Sequence, residues 1–353
     1  MVGIPCPRIL FYPRGISKNF CSMIFFGLFV RRLFFFALLG GAASSLFAQA
    51  SFETSKSTLL SKQTLSRLLL IDASRAGNRL VAAGERGSII YSDDNGHSWQ
   101  RAKVPTAPLL TAIFFIDAQN GWAVGHDMVI LRTTNAGETW VQQFSAPLEQ
   151  RPFLDVLFLD TSRGIAVGAY GAYYETSNGG KTWTARKIAD DDKHYNGIIQ
   201  LAAGKLLIVG EAGTLLKSDD SGQTWSALMP PYKGSYFGAI AAKNAHIIIY
   251  GLRGKIFRSS DGGNSWTAVD NSSVASIMGS TQLADGTLVL AGLSGTVLVS
   301  RDDGQSFVAL PTDTIKAFST ALPSTSNVLL LFGETGVRDI PMKSAAKTMQ
   351  AIP

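Results

Sequence analysis

The sequence predicts an all-β chain folded as a seven-bladed β-propeller with four-stranded antiparallel blades. Two ladders of residues and one strand pattern lead to that reading. The first ladder is a polar knot closed by an aromatic residue: SDDNGHSW ending at Trp99, TTNAGETW at Trp140, TSNGGKTW at Trp183, SDDSGQTW at Trp225, SSDGGNSW at Trp266 and SRDDGQSF at Phe307. Six copies spaced 41 to 43 residues apart mean a repeat protein. The second ladder is a glycine that closes a short apolar run: Gly84, Gly125, Gly168, Gly210, Gly251, Gly292 and Gly333. Its last rung has no knot after it, so seven units are present and the seventh is incomplete.

Each repeat reads as four short strands. The second unit divides at turn residues into TAIFFID, GWAVG, MVILRT and TWVQQF, four apolar runs of strand length. Other units supply KLLIVG, HIIIYG and TLVLAG as second strands, and their near-continuous apolar character implies burial on both faces, as between stacked sheets. Four-stranded sheets repeated radially are propeller blades, and seven lies within the usual number. A solenoid would need polar capping repeats, and none is evident.

The knot has a local chemistry. Asp94, Asn135, Asn178, Asp220, Asp261 and Asp302 share one position, where a short side-chain oxygen accepts backbone N–H groups of a turn. Gly96 and its equivalents permit the positive φ such a turn requires. The aromatic buries beneath it, worth up to about 5 kcal/mol per indole. These features make the knots architectural; six copies of one catalytic site on a single chain would be foreign to enzyme logic.

Composition limits the function classes. The chain is 46% hydrophobic and 16% charged, which excludes a disordered protein. The formal charge of +6 comes mostly from residues 1–50, which hold five basic and no acidic residues; the remainder carries 27 Lys+Arg against 26 Asp+Glu, so nucleic acid is not expected as a partner. Both cysteines, Cys6 and Cys21, also lie there. Residues 1–50 read as an export signal: Arg31 and Arg32, then the apolar LFFFALLGGAASSLF, then Ala48-Gln49-Ala50 before a cut. Residues 51–353 then form one propeller domain. General secretion and a twin-arginine route are both compatible with RRLFF, and Met1 or Met23 would serve as the start. Within 51–65, Phe52 to Leu60 is expected to close the ring as the outer strand of the seventh blade, with Ser344 to Ala351 as the alternative.

The knots resemble the Asp-box, or BNR repeat. The boxes, the GxxG turns such as Gly84 to Gly87 and Gly251 to Gly254, and strands like FIDAQNGWAVG are together similar to the photosystem II assembly and stability factor family. That resemblance implies an exported, non-enzymatic seven-bladed propeller that binds a membrane or envelope protein, in a periplasm or, in a phototroph, a thylakoid lumen. Departures are His126-Asp127-Met128 in place of a GxxG ending, and the absent seventh box. A sialidase-like glycoside hydrolase is the rival, but those enzymes typically have six blades and an early Arg-Ile-Pro, which does not occur after residue 50. A glycan-binding lectin is the third class.

In blade topology the GxxG turns and the crossovers between blades share one face, opposite the boxes. Arg86, Tyr170 and Arg253 lie in the turns; Arg101, Arg151, Tyr195, Tyr232 and Lys233 lie in the crossovers. Arginine and tyrosine carry much of the binding energy at protein interfaces, so Arg86, Arg253, Arg151, Tyr170, Tyr195, Tyr232 and Lys233 are the expected partner-binding residues of a monomer. No catalytic, metal or cofactor site is expected. Asp190 to Asp192 form one short acidic run, too few oxygens for calcium, and His97 and His246 have no neighbour at metal-ligand spacing.

Overall fold

The computed structural model describes residues 59–202, 204–325 and 327–342. They form seven antiparallel sheets in chain order, six of four strands and a last one of three. In blade 1 the strands run from the inner Leu70–Ala76 through Arg79–Gly84 and Ile89–Ser92 to the outer Gln100–Arg101. The inner strands of blades 2 to 7 are Leu110–Phe115, Phe153–Phe158, Tyr195–Ala202, Tyr236–Ala241, Ile277–Gln282 and Phe318–Thr325. The second strands are buried along almost their whole length, as in GWAVG, GIAVG and LVLAG. The seven-bladed propeller read from the ladders is the fold.

A β-bulge recurs in every inner strand. Ile71, Thr111, Leu154, Asn196, Phe237, Met278 and Ser319 are the extra residues, each skipped where the inner strand pairs with the second. The bulge explains the glycine ladder. A side chain at Gly84 would lie 2.0 Å from the Leu69 carbonyl oxygen, and one at Gly125 2.1 Å from that of Leu109. The same carbonyls accept the N–H of the following residue, Glu85 and His126, each at 2.9 Å. Backbones this close leave no room for a Cβ.

The boxes close as their residue types dictate. Ser92 Oγ accepts the Gly96 N–H at 2.8 Å and donates to Asp94 Oδ1 at 2.8 Å. Asp94 in turn accepts the Ser98 N–H at 2.9 Å and the Ser98 hydroxyl at 2.5 Å. Asn135 replaces the carboxylate in blade 2 with the same geometry, its Oδ1 accepting the Thr139 N–H at 3.0 Å. Two consecutive residues take positive φ, 59° at Asn95 and 90° at Gly96.

The strands expected to close the ring lie almost wholly outside the described residues. The seventh blade ends with its third strand, Gly336–Pro341, and no fourth strand pairs with it among the described residues. Leu59 bridges Gln100 and the Leu60 N–H donates to the Trp99 carbonyl at 2.8 Å, so the described end of the 52–60 segment lies on the outer edge of blade 1, not blade 7. Lys62–Leu65 is one helical turn. Phe52 to Thr58 and Ser344 to Ala351 lie outside the described residues, as does the expected signal at 1–50.

Side chains at the junction of blades 7 and 1 account for the closure. Leu70, Ala82 and Trp99 of blade 1 form one buried cluster with Leu330 and Phe332 of blade 7. The Trp99 and Phe332 rings meet edge to face at 5.9 Å. Arg75 donates to the Pro323 carbonyl, and the Ser324 hydroxyl donates to Asn95 O at 2.6 Å. The box of blade 1 is thus seated on blade 7.

Candidate functional site

The GxxG turns and crossovers do share one face. The Gly87 N–H donates to Pro108 O, Gly171 to Lys193 O and Gly213 to Gly234 O, each at 2.9 Å, which ties these three turns to the crossovers beside them. The third residue of the motif holds a left-handed backbone: φ is 53° at Arg86, 58° at Asp127, 54° at Tyr170, 51° at Ala212, 57° at Arg253 and 56° at Ser294. His126-Asp127-Met128 forms the same turn as the glycine-ended copies, with Met128 itself at φ 51° and buried. A non-glycine residue in this region costs roughly 1–2 kcal/mol. Three of the six positions nevertheless carry the large side chains Arg86, Tyr170 and Arg253.

The structure sorts the expected residues into separate places. Arg86 lines a depression at blade 1 together with Arg67 and Arg101, beside Ser88 and Gln63. Arg101 donates to Ser88 Oγ at 3.2 Å, and the one carboxylate there, Glu85, accepts the Leu69 N–H at 3.1 Å. Arg67, Arg86 and Arg101 form no ion pair with any described residue. Arg253 and Tyr232 line a second depression with Lys255 and Val274. Lys233 is exposed next to it. Tyr170, 54% exposed, lies edge-on to His194 at 4.8 Å. Arg151 is bound to Glu149 at 2.6 Å.

Tyr195 is a correction. It is the first residue of an inner strand, and the equivalent positions, Leu70, Leu110, Phe153, Tyr236, Ile277 and Phe318, are all core residues. At 1% exposure its ring packs within blades 3 and 4 and is closed to a partner.

Two features of this face escaped the sequence reading. Aliphatic side chains stand in solvent at the crossovers: Leu148, 98% exposed, with Met229, Val274 and Ile315, and Leu293 in a GxxG turn. Lone aliphatics within polar crossover segments were the signal. The other is the Arg67–Arg86–Arg101 grouping, which joins residues 34 positions apart and has no local pattern.

The axial channel is the second candidate site. All seven bulged residues line it, together with Asp72, Asp155, Tyr250 and Ser280. Asp72 Oδ1 accepts the Ala73 N–H at 2.8 Å, and its Oδ2 accepts the Ile113 N–H of blade 2 at 2.9 Å. Asp155 does the same with Val156 and with Ile198 of blade 4, both at 2.8 Å. Burial raises both carboxyls to about 7 against these hydrogen bonds, and Asp155 adds to the rise at Asp72. Among the described residues no group of three His, Cys, Asp or Glu is placed to hold a metal ion.

Residues 138–291, from the second box into blade 6, match the family model of the photosynthesis system II assembly factor YCF48. The chain is a β-propeller with a central segment similar to the photosystem II assembly factor family. Among solved structures it is similar to YCF48 bound to a D1 peptide, at 18% identity over 81% of this chain and 95% of that one, with a TM-score of 0.64. It is also similar to YCF48 from Cyanidioschyzon merolae, at 17% identity over 79% and 97%, with a TM-score of 0.63. A GH74 xyloglucanase from Xanthomonas campestris shares the fold at 12% identity over 81% of this chain and 54% of the enzyme, with a TM-score of 0.65. No curated protein matches the chain. Identities this low speak for the fold, and the likeness to the family rests on the matched segment.

Proposed function

We propose that this is an exported, non-enzymatic assembly factor that holds a segment of a membrane or envelope protein on its turn face. One observation carries the reading. At a position repeated in six of the seven blades, where glycine costs least, Arg86, Tyr170 and Arg253 are kept in a left-handed backbone and presented on one rim. Strain of this kind concentrates at functional sites. The unpaired guanidiniums of Arg67, Arg86 and Arg101 suit a carboxylate, to which arginine binds in bidentate fashion. The exposed aliphatic tips on the same face suit the apolar part of a peptide. Among the neighbours, YCF48 has been seen with a D1 peptide bound, which supports a peptide as the class of partner here.

Export to a periplasm, or to a thylakoid lumen in a phototroph, follows from the leader and belongs to the same proposal, as does a monomeric state. The channel carboxylates each commit both oxygens to backbone amides, which supports an architectural role for them over glycoside hydrolysis. Capture of a single membrane protein from detergent-solubilised membranes is the test. The Arg86→Ala/Arg253→Ala variant is expected to weaken that capture about 30-fold or more, the worth of a hot-spot arginine, with the fold retained. Wild-type affinity in this variant would overturn the rim assignment, glycan-array binding would favour the lectin, and turnover of xyloglucan would replace the reading with a hydrolase.

A further inference from the structure

The residue after each bulge differs around the ring: Asp72, Ala112, Asp155, Gly197, Gly238, Gly279 and Thr320. Five are small and uncharged, and two are carboxylic acids that face the channel and reach across a blade junction. Gly238 leaves space for the Tyr250 hydroxyl, which donates to Ser280 Oγ at 2.9 Å. Among the described residues no Lys, Arg or His lines the channel. The inner strands of blades 2, 4 and 7, and the second strands of blades 2 and 3, carry no charged residue. On blade 1, Arg75 turns to the Pro323 carbonyl, and Arg79 is held by Asp93 and Glu138. The titratable groups that face one another across the channel are therefore Asp72, Asp155 and Tyr250, and burial pushes the tyrosine hydroxyl up as well.

We propose that the axial channel is a proton-uptake site, in which Asp72 and Asp155 fold as neutral acids bridging blade 1 to blade 2 and blade 3 to blade 4. The ring is then firmest in mild acid and loosens as the channel acids ionise. A carboxylate in this channel has two N–H donors but no counter-ion among the described residues, and it faces a second carboxylate, so ionisation of both places two like charges in one channel. The raised values agree in sign. A carboxyl whose folded pKa exceeds its unfolded one takes up a proton on folding, so the stability it contributes is greatest below the unfolded value, 3.8, and is lost as pH rises through about 7. Two facing acids titrate as a pair, so the macroscopic steps belong to both. None of this depends on the turn face or its partner.

Denaturant unfolding of the full chain between about pH 5 and pH 8 tests the proposal. The unfolding constant is expected to rise with pH by up to about tenfold per unit for each acid, and to level off above neutrality. Asp72→Asn and Asp155→Asn should each remove part of that slope, and the double variant all of it; the histidines, which lie outside the channel, cancel in the comparison. A wild-type slope near zero, or a double variant with the wild-type slope, would overturn it. An Asn amide nitrogen cannot accept the N–H that a carboxylate oxygen accepts, so a variant can fail to fold. Infrared difference spectra of the wild-type protein then decide: a buried carboxylic-acid carbonyl band present at about pH 6 and lost by about pH 9 without unfolding is expected, and its absence at the lower pH refutes the uptake site.

Discussion

The two faces of the ring use the same repeat in opposite ways. On the box face one hydrogen-bond set is copied six times: a Ser or Thr hydroxyl, an Asp or Asn oxygen and a glycine amide, with distances that differ by about 0.2 Å from blade to blade. On the turn face the backbone is copied as faithfully, but the side chain at its strained position runs Arg86, Asp127, Tyr170, Ala212, Arg253, Ser294. Repetition of chemistry marks what every blade needs to stand. Variation of chemistry on a constant backbone marks what the whole molecule offers outward.

The comparison breaks most visibly where a box aromatic is removed. Trp99→Ala should destabilise the fold by about 3–5 kcal/mol, because the indole is 1% exposed and bridges blade 1 to Phe332 of blade 7. Trp225→Ala should cost less, since Trp225 is only half-buried. Denaturant melts of the two variants check this. Equal losses would mean that the blade 7 to blade 1 junction has no special dependence on its box.

Removal of a single box hydroxyl is a smaller break. Ser259→Ala strips the acceptor from the Gly263 N–H, at 2.8 Å, and the donor to Asp261 at 2.8 Å, for a loss of about 1–3 kcal/mol. The boxes also set an acid limit. Hydrogen bonds from the Thr224 hydroxyl and amide hold Asp220 down at about 2, and those from Ser265 do the same for Asp261. A depressed carboxylate contributes stability above its unfolded value, 3.8, and loses it as pH falls through about 2. The channel acids have the opposite sign. Together they predict a stability optimum in mild acid, with the acid limb blunted by Asp220→Asn and the neutral limb by the channel variants, both read by thermal unfolding across pH.

What was legible in the sequence follows from this contrast. The boxes and the glycine ladder repeat a chemistry, so spacing alone revealed seven blades and the missing seventh box. The bulges were invisible because Ile71, Thr111, Leu154, Asn196, Phe237, Met278 and Ser319 share no residue type; the irregularity is in the backbone register, and only the glycine opposite betrays it. Tyr195 reads as a crossover residue in the sequence because the inner strand of blade 4 begins sooner than its apolar run suggests. Arg67 and Arg101 meet Arg86 only through the fold. Asp72 and Asp155 did carry a signal: each is the one carboxyl of its inner strand, LIDASRA and FLDVLF, and the other five inner strands have none.

The smallest expected effect separates the faces most sharply. Arg86→Gly and Arg253→Gly relieve a left-handed backbone that only glycine adopts freely, so each should raise stability, by roughly 1 kcal/mol or less once the added freedom of the unfolded chain is counted. Neither side chain is in an ion pair with a described residue, and both are exposed, so little is lost in exchange. The same substitutions delete the guanidiniums that the turn face presents to its partner. A rise in melting temperature together with weakened capture would show that the rim gives up stability for binding, as strained functional positions do. A glycine at a box position has no such slack: Ser259→Gly should lose stability and leave capture by the intact fraction unchanged. If Arg86→Gly instead lowers the melting temperature, its side chain is holding the blade 1 depression together, and the strained arginines are part of the architecture after all.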